Sequence, residues 1–105
     1  MAKHKEPKYE PRLVYTSMIK AIAMARRYGI EHYGDSENWR DTPIEEFEEA
    51  CLRHGDAVLR DGEEIDEESG LPHLFLMAAN LHYIIEAKYG KKTSHVIKYK
   101  SLSDH

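Results

Sequence analysis

A single cysteine, Cys51, leaves the chain no partner for an intrachain disulfide and no thiolate set for a cysteine zinc site. A reducing, cytoplasmic setting is therefore expected. Apolar residues never run long enough to cross a bilayer, and the opening MAKHKEPKYEP carries basic residues with no apolar segment after them, so neither a membrane span nor export is expected. Charge of one sign is scarce as well. Fifteen Lys and Arg against 19 Asp and Glu give a formal net charge of −4, which provides no positive field to collect nucleic acid. No P-loop, nucleophile elbow, His-Glu-x-x-His or EF-hand pattern occurs, which removes those classes of enzyme.

What remains is a 105-residue chain with enough aliphatic and aromatic side chains for one modest core. The expectation is a single domain over residues 1–105, with its core at about 11–89, an arm at 1–10 and a tail at 90–105. The pattern predicts an all-α fold: a small bundle of three main helices with an extended N-terminal arm and a short irregular or single-strand C-terminal tail. The first helix starts at Thr16 or Ser17, carries Met18, Ile22, Ala25, Gly29 and Tyr33 in one apolar stripe, and stops at Gly34. Gly29 lies on that stripe, where a missing side chain would let a partner helix approach closely. The second helix has a start signal in TPIEE, with Thr42 as N-cap, Pro43 in the first turn and Glu45 completing a capping box. It buries Ile44, Phe47, Cys51, Gly55 and Val58, turns Glu45, Glu49, Arg53, Asp56 and Arg60 to solvent, and stops near Gly62. The third helix is capped by Ser69 or Gly70, has Pro72 in its first turn, and runs to about Lys88 before Gly90 closes it. It is apolar over more than half its circumference, so a homodimer or homotetramer is expected to bury the remainder.

Polar residues on the edges of these stripes are the candidates for chemistry. At 100° per residue His73 and Asn80 fall nearly in line along the flank of the third helix, while His54 and Asp61 share a flank of the second. Two helix flanks thus offer His54, Asp61, His73 and Asn80 to one cleft, although boundary residues of these types are more often packing or capping groups than catalysts. Carboxylates such as those at 45–49 more often form a solvated, ion-paired face than a metal site, and the loop acids from Glu63 to Glu68 could hold Mg²⁺ through oxygen ligands, although a charged surface is the commoner role. Arg26 sits within the apolar arc of the first helix, where a guanidinium needs an acid or a phosphate. Asn38 and Trp39 supply an amide and a stacking face suited to a base; alternatively Trp39 plugs the core between the first two helices.

Three stretches, YGIEHYGDSENW (28–39), CLRHGDAVLRDGEEID (51–66) and ESGLPHL (68–74), together resemble the N-terminal domain family named for phage dATP/dGTP diphosphohydrolases. The resemblance spans about Pro11 to Glu86. It implies an all-helical domain of phage or prophage origin acting on purine deoxynucleoside triphosphates in the bacterial host cytoplasm. A more distant similarity is to the all-α nucleoside triphosphate pyrophosphohydrolases, which bind Mg²⁺ through helical carboxylates. Asn38, Trp39, His54, Asp66, Ser69, Gly70 and His73 stand on family motif positions, whereas Leu76 and His32 replace a histidine and a lysine that many relatives carry. The helix faces and the resemblance together assign His54 and His73 as catalytic groups, Arg26, Asn38, Trp39 and Asn80 as nucleotide contacts, and Asp66 with His73 as ligands to Mg²⁺. Release of pyrophosphate from dGTP or dATP is one expected activity. Non-catalytic nucleotide binding, sequestering a nucleotide signal in an oligomer, is the other.

Overall fold

The computed structural model describes residues 10–91, and its main helices are α1 (Thr16–Tyr33), α2 (Ile44–Gly55) and α3 (His73–Tyr89). The expected arm, apart from its last residue, and nearly all of the expected tail lie outside the described residues. Within them the fold is all-α, with no strand and a single antiparallel bridge, Ile65 to Pro72. None of these helices is long and apolar enough to cross a membrane.

α3 is the central element, and both α1 and α2 pack against it. Small residues line the seams: Ala21 and Ala25 of α1, Cys51 and Gly55 of α2, and Ala79 of α3 are the buried ones, joined by the imidazole of His73. Short side chains at contact positions bring helix axes together, so the larger residues are left around the seams rather than inside them. The apolar stripe expected on α1 is only partly used. Ala25 is buried, but Met18 and Tyr33, near its two ends, are exposed. Gly29 does not seat a helix either, since a Cβ there would have nothing within 4 Å. The glycine that permits close approach is Gly55, where a Cβ would lie 3.2 Å from Met77 Cε of α3.

The helix boundaries hold while their caps differ from expectation. α1 ends as predicted at Gly34, whose φ of 120° is open to glycine and whose missing Cβ leaves room for Asn38 Nδ2. The capping box at α2 does not form: Thr42 closes a preceding one-turn helix, Asn38–Asp41, and Pro43, with extended backbone, is itself the N-cap. Pro72 likewise caps α3 instead of entering its first turn, because the bridge to Ile65 holds it extended. Ser69 is drawn away from any capping role by its bonds to the loop. After Gly55 the helical course of α2 widens into one π-type turn, Asp56–Arg60, closed by an Asp61 N–H to Asp56 carbonyl bond of 3.1 Å, and Gly62 with φ 71° ends it. The outward residues Glu45, Glu49, Arg53, Asp56 and Arg60 are all exposed, as the periodicity predicts.

Candidate functional site

The loop between α2 and α3 determines where the site residues stand. Its ends are tied by the Asp66 N–H to Leu71 carbonyl and His73 N–H to Glu64 carbonyl bonds, both 2.8 Å, and Gly70, at φ 77°, turns the chain so that its N–H reaches the Asp66 carbonyl at 2.7 Å. This tight turn is what the acid-serine-glycine-leucine-proline-histidine motif encodes. Inside it the Ser69 N–H and hydroxyl both donate to Asp66 Oδ2, at 2.9 and 2.7 Å, and the Leu71 N–H donates to Ser69 Oγ at 3.1 Å. The Asp66 carboxylate is therefore fixed in orientation by the loop that carries it.

His54, in the last turn of α2, and His73, the first residue of α3, meet across the seam that Gly55 draws close. Their Nδ1 atoms are 2.8 Å apart and their ring centroids 5.1 Å apart. Asp66 completes a group in which one ligand atom from each of His54, Asp66 and His73 lies within 4.8 Å of the others. Burial holds the His54 imidazole below its ordinary value, with Asp66 opposing and His73 and Arg53 reinforcing. For Asp66 burial works against ionisation, but the Ser69 hydrogen bonds and the two imidazoles outweigh it and keep the carboxyl below its usual range. A neutral imidazole and an ionised carboxylate near neutral pH are the protonation states a cation needs from its ligands. The donor set decides which cation fits. Mg²⁺ takes oxygen ligands and keeps several waters, whereas two imidazole nitrogens and one carboxylate suit a borderline first-row ion, so Mg²⁺ is not the ion these residues are built to hold.

Beside this cluster lies a cavity of about 410 Å³, within the size range of small-molecule sites. Its wall includes His54 and Asp66 together with Arg26, Asn38, Trp39 and Asn80, and also Tyr28, Arg53, Glu68 and Tyr83. Trp39 stacks on Tyr83 of α3, centroids 5.1 Å apart, and meets Phe47 of α2 edge-on at 6.3 Å. It thus fills the space between α2 and α3, not that between the first two helices, while one part of it faces the cavity. Arg40 covers it at 4.5 Å. The Asn38 Nδ2 donates to the Tyr33 carbonyl at 2.8 Å and the Asn80 Nδ2 to the Leu76 carbonyl at 2.8 Å, so each amide has a structural bond as well as its place in the wall. Arg26 pairs with no acid among the described residues: its Nη2 donates to the Ser36 carbonyl, its guanidinium lies 5.7 Å from the Tyr83 ring centre, and its Nε is buried without a partner.

Two expectations are corrected. His73 and Asn80 do not share one groove, for His73 is buried and borders a separate acidic hollow with Glu63, Asp66, Glu67 and Glu68. It reaches the cavity only through His54. Asp61, placed on the His54 flank by a regular 3.6-residue count, is exposed and absent from both hollows, because the π-type turn shifts the register before it. Sequence pattern alone does not mark Tyr28, Arg53, Glu68 and Tyr83 as cavity residues. Tyr28 opens the stretch YGIEHYGDSENW, and its phenol is pushed up by burial, then by Glu68, Tyr33 and Asp66.

Compared with known proteins, residues 1–95 match the family described as dATP/dGTP diphosphohydrolase, N-terminal. No curated protein and no solved structure matches.

Proposed function

The chain belongs to the dATP/dGTP diphosphohydrolase N-terminal family, and from that premise we propose that it hydrolyses dGTP or dATP to the monophosphate and pyrophosphate. The observation that carries the reading is the neighbourhood of a nucleotide-sized cavity and the His54–Asp66–His73 cluster in and behind its wall. Trp39 and Tyr83 offer the exposed edges of their stacked rings and Asn38 and Asn80 offer amides to the purine, while Arg26 and Arg53 bring positive charge to the phosphates. His54, held neutral by burial, takes the proton of a water that attacks the α-phosphorus, and the bond to the bridging oxygen of the leaving pyrophosphate breaks. The triphosphate carries Mg²⁺ as its own counter-ion in solution. In the same reading the chain is one cytoplasmic domain that works as a homodimer or homotetramer.

The test is pyrophosphate release from dGTP and dATP by the purified chain. Turnover is expected, with His54→Ala lowering kcat by about 10²–10⁴-fold, the range for loss of a general base. No turnover above background, or an unchanged rate in the variant, rejects the hydrolytic reading. A second reading, binding without hydrolysis, is favoured by Leu76, an apolar residue in the cavity wall where the family resemblance leads one to expect a histidine. It predicts tight, saturable nucleotide binding in calorimetry with the ligand recovered intact.

A further inference from the structure

Among the described residues the His54–Asp66–His73 cluster is the one place where three or more side chains of metal-ligating type converge. It draws on three separate elements: the end of α2, the loop, and the first turn of α3. We propose that it holds one borderline first-row divalent cation of the zinc class, in place of Mg²⁺, as a resident part of the fold. The proposal shares its residues with the functional reading above but does not depend on turnover: an ion on His54 Nδ1 would leave the hydrogen on Nε2, so with the ion bound the base role given to His54 would pass to a water held by the ion.

Geometry supports it at each ligand. Two nitrogens bonded to one tetrahedral ion at about 2.0–2.1 Å stand about 3.3–3.4 Å apart, and the His54 and His73 Nδ1 atoms, separated by 2.8 Å, need to part by only about half an ångström to admit it. An unliganded pair of imidazoles also reaches that distance, one donating N–H to the other, but such a pair has no need of a carboxylate. Here the carboxylate is present and prepared. Both Ser69 hydrogen bonds fall on Asp66 Oδ2, and the backbone of the tight turn keeps the loop in place, so Asp66 has the supporting contacts that metal-ligating carboxylates have. His73 is buried at 8% exposure and borders the acidic hollow, whereas His54 and Asp66 line the cavity. Three protein ligands leave a coordination position open toward that cavity, the arrangement of a catalytic site and not of a closed structural one. Selectivity follows from softness: imidazole nitrogen binds Zn²⁺, Co²⁺ or Ni²⁺ well, whereas Mg²⁺ prefers carboxylate, carbonyl and water oxygens.

The experiment uses the full chain stripped of metal by a chelator. Co²⁺ is titrated as a spectroscopic probe and Zn²⁺ is followed by calorimetry, with and without Mg²⁺ in millimolar excess. One equivalent of Co²⁺ with visible ligand-field bands is expected, displaced by Zn²⁺ and left within tenfold in affinity by Mg²⁺. Ser69→Ala, which keeps all three ligands, is expected to weaken binding by about 10–100-fold, and Asp66→Asn and His54→Gln by more, each with helical circular dichroism retained. Absence of a bound equivalent, displacement by Mg²⁺ at comparable concentration, or wild-type affinity in all three variants overturns the proposal. Metal binding without nucleotide turnover rejects only the hydrolytic reading. Turnover in chelated protein that binds no Zn²⁺ rejects only the present one.

Discussion

His82 shows how a single buried ring leaves a signature in stability. Its Nδ1 is buried without a partner, and burial first, then the nearby Arg26, hold its imidazole below the ordinary 6.5, with Glu86 opposing. The unfolded chain therefore binds the His82 proton more readily than the folded one below about pH 6.5, so stability is complete above that value and lost as pH falls through the lowered folded value. Replacing the ring with an aliphatic group removes the linkage. His82→Leu is expected to make the fall in the urea midpoint between about pH 8 and about pH 5 shallower than in the wild type; an equal or steeper fall contradicts the assignment. Other residues differ in how readable they were. The meeting of His54 and His73 was legible from the flank positions on two helices, because helical rotation is fixed by backbone geometry. Arg26 was legible only as a misfit in an apolar arc. Its partners, a carbonyl and an aromatic face, belong to distant segments that no local pattern connects.

At the scale of elements, lengths were written in the sequence and contacts were not. Periodicity and a glycine stop located α1 between Thr16 and Tyr33, yet the roles of its residues depended on where α3 ends and where the loops cross. Gly29 and Gly55 illustrate this. Both sit on apolar faces, but Gly55 meets Met77 whereas Gly29 borders the cavity with nothing within 4 Å of an added Cβ. The π-type turn was equally invisible, since an inserted residue in a helix leaves the apolar composition unchanged. The empty space at Gly29 gives a paired prediction. Gly29→Ala removes the entropic cost of a mid-helix glycine, about 0.5–1 kcal/mol, and should raise the melting temperature by roughly 2–8 °C. Gly29→Phe puts a ring into the cavity and should weaken dGTP binding by at least about tenfold, or 1.4 kcal/mol, while the helical spectrum is retained. Wild-type affinity in the phenylalanine variant would show that the nucleotide does not use this cavity.

For the whole molecule the outstanding fact is what the described protomer leaves uncovered. No large side chain is fully buried, and α3 exposes Leu74 at 52%, Leu81 at 44%, Ile85 at 55% and Tyr89 at 42% on the side away from α1 and α2. These residues recur at helical spacing and form a ridge along the central helix, with the small Ala78 between them. An antiparallel second copy centred between Ala78 and Leu81 sets each Leu81 against an Ala78 and each Leu74 against an Ile85. At the centre a large residue then opposes a small one, and toward the ends large apolar residues meet each other, as a self-complementary twofold contact allows. The expected outcome is a dimer in light scattering at micromolar concentration, with Leu81→Glu converting it to a monomer of unchanged helicity, because a carboxylate buried against its own copy has no partner. Ile19→Glu, a change of similar size on the exposed face of α1, should leave the dimer intact. A wild-type monomer, or dissociation by the α1 variant alone, would place no interface on α3.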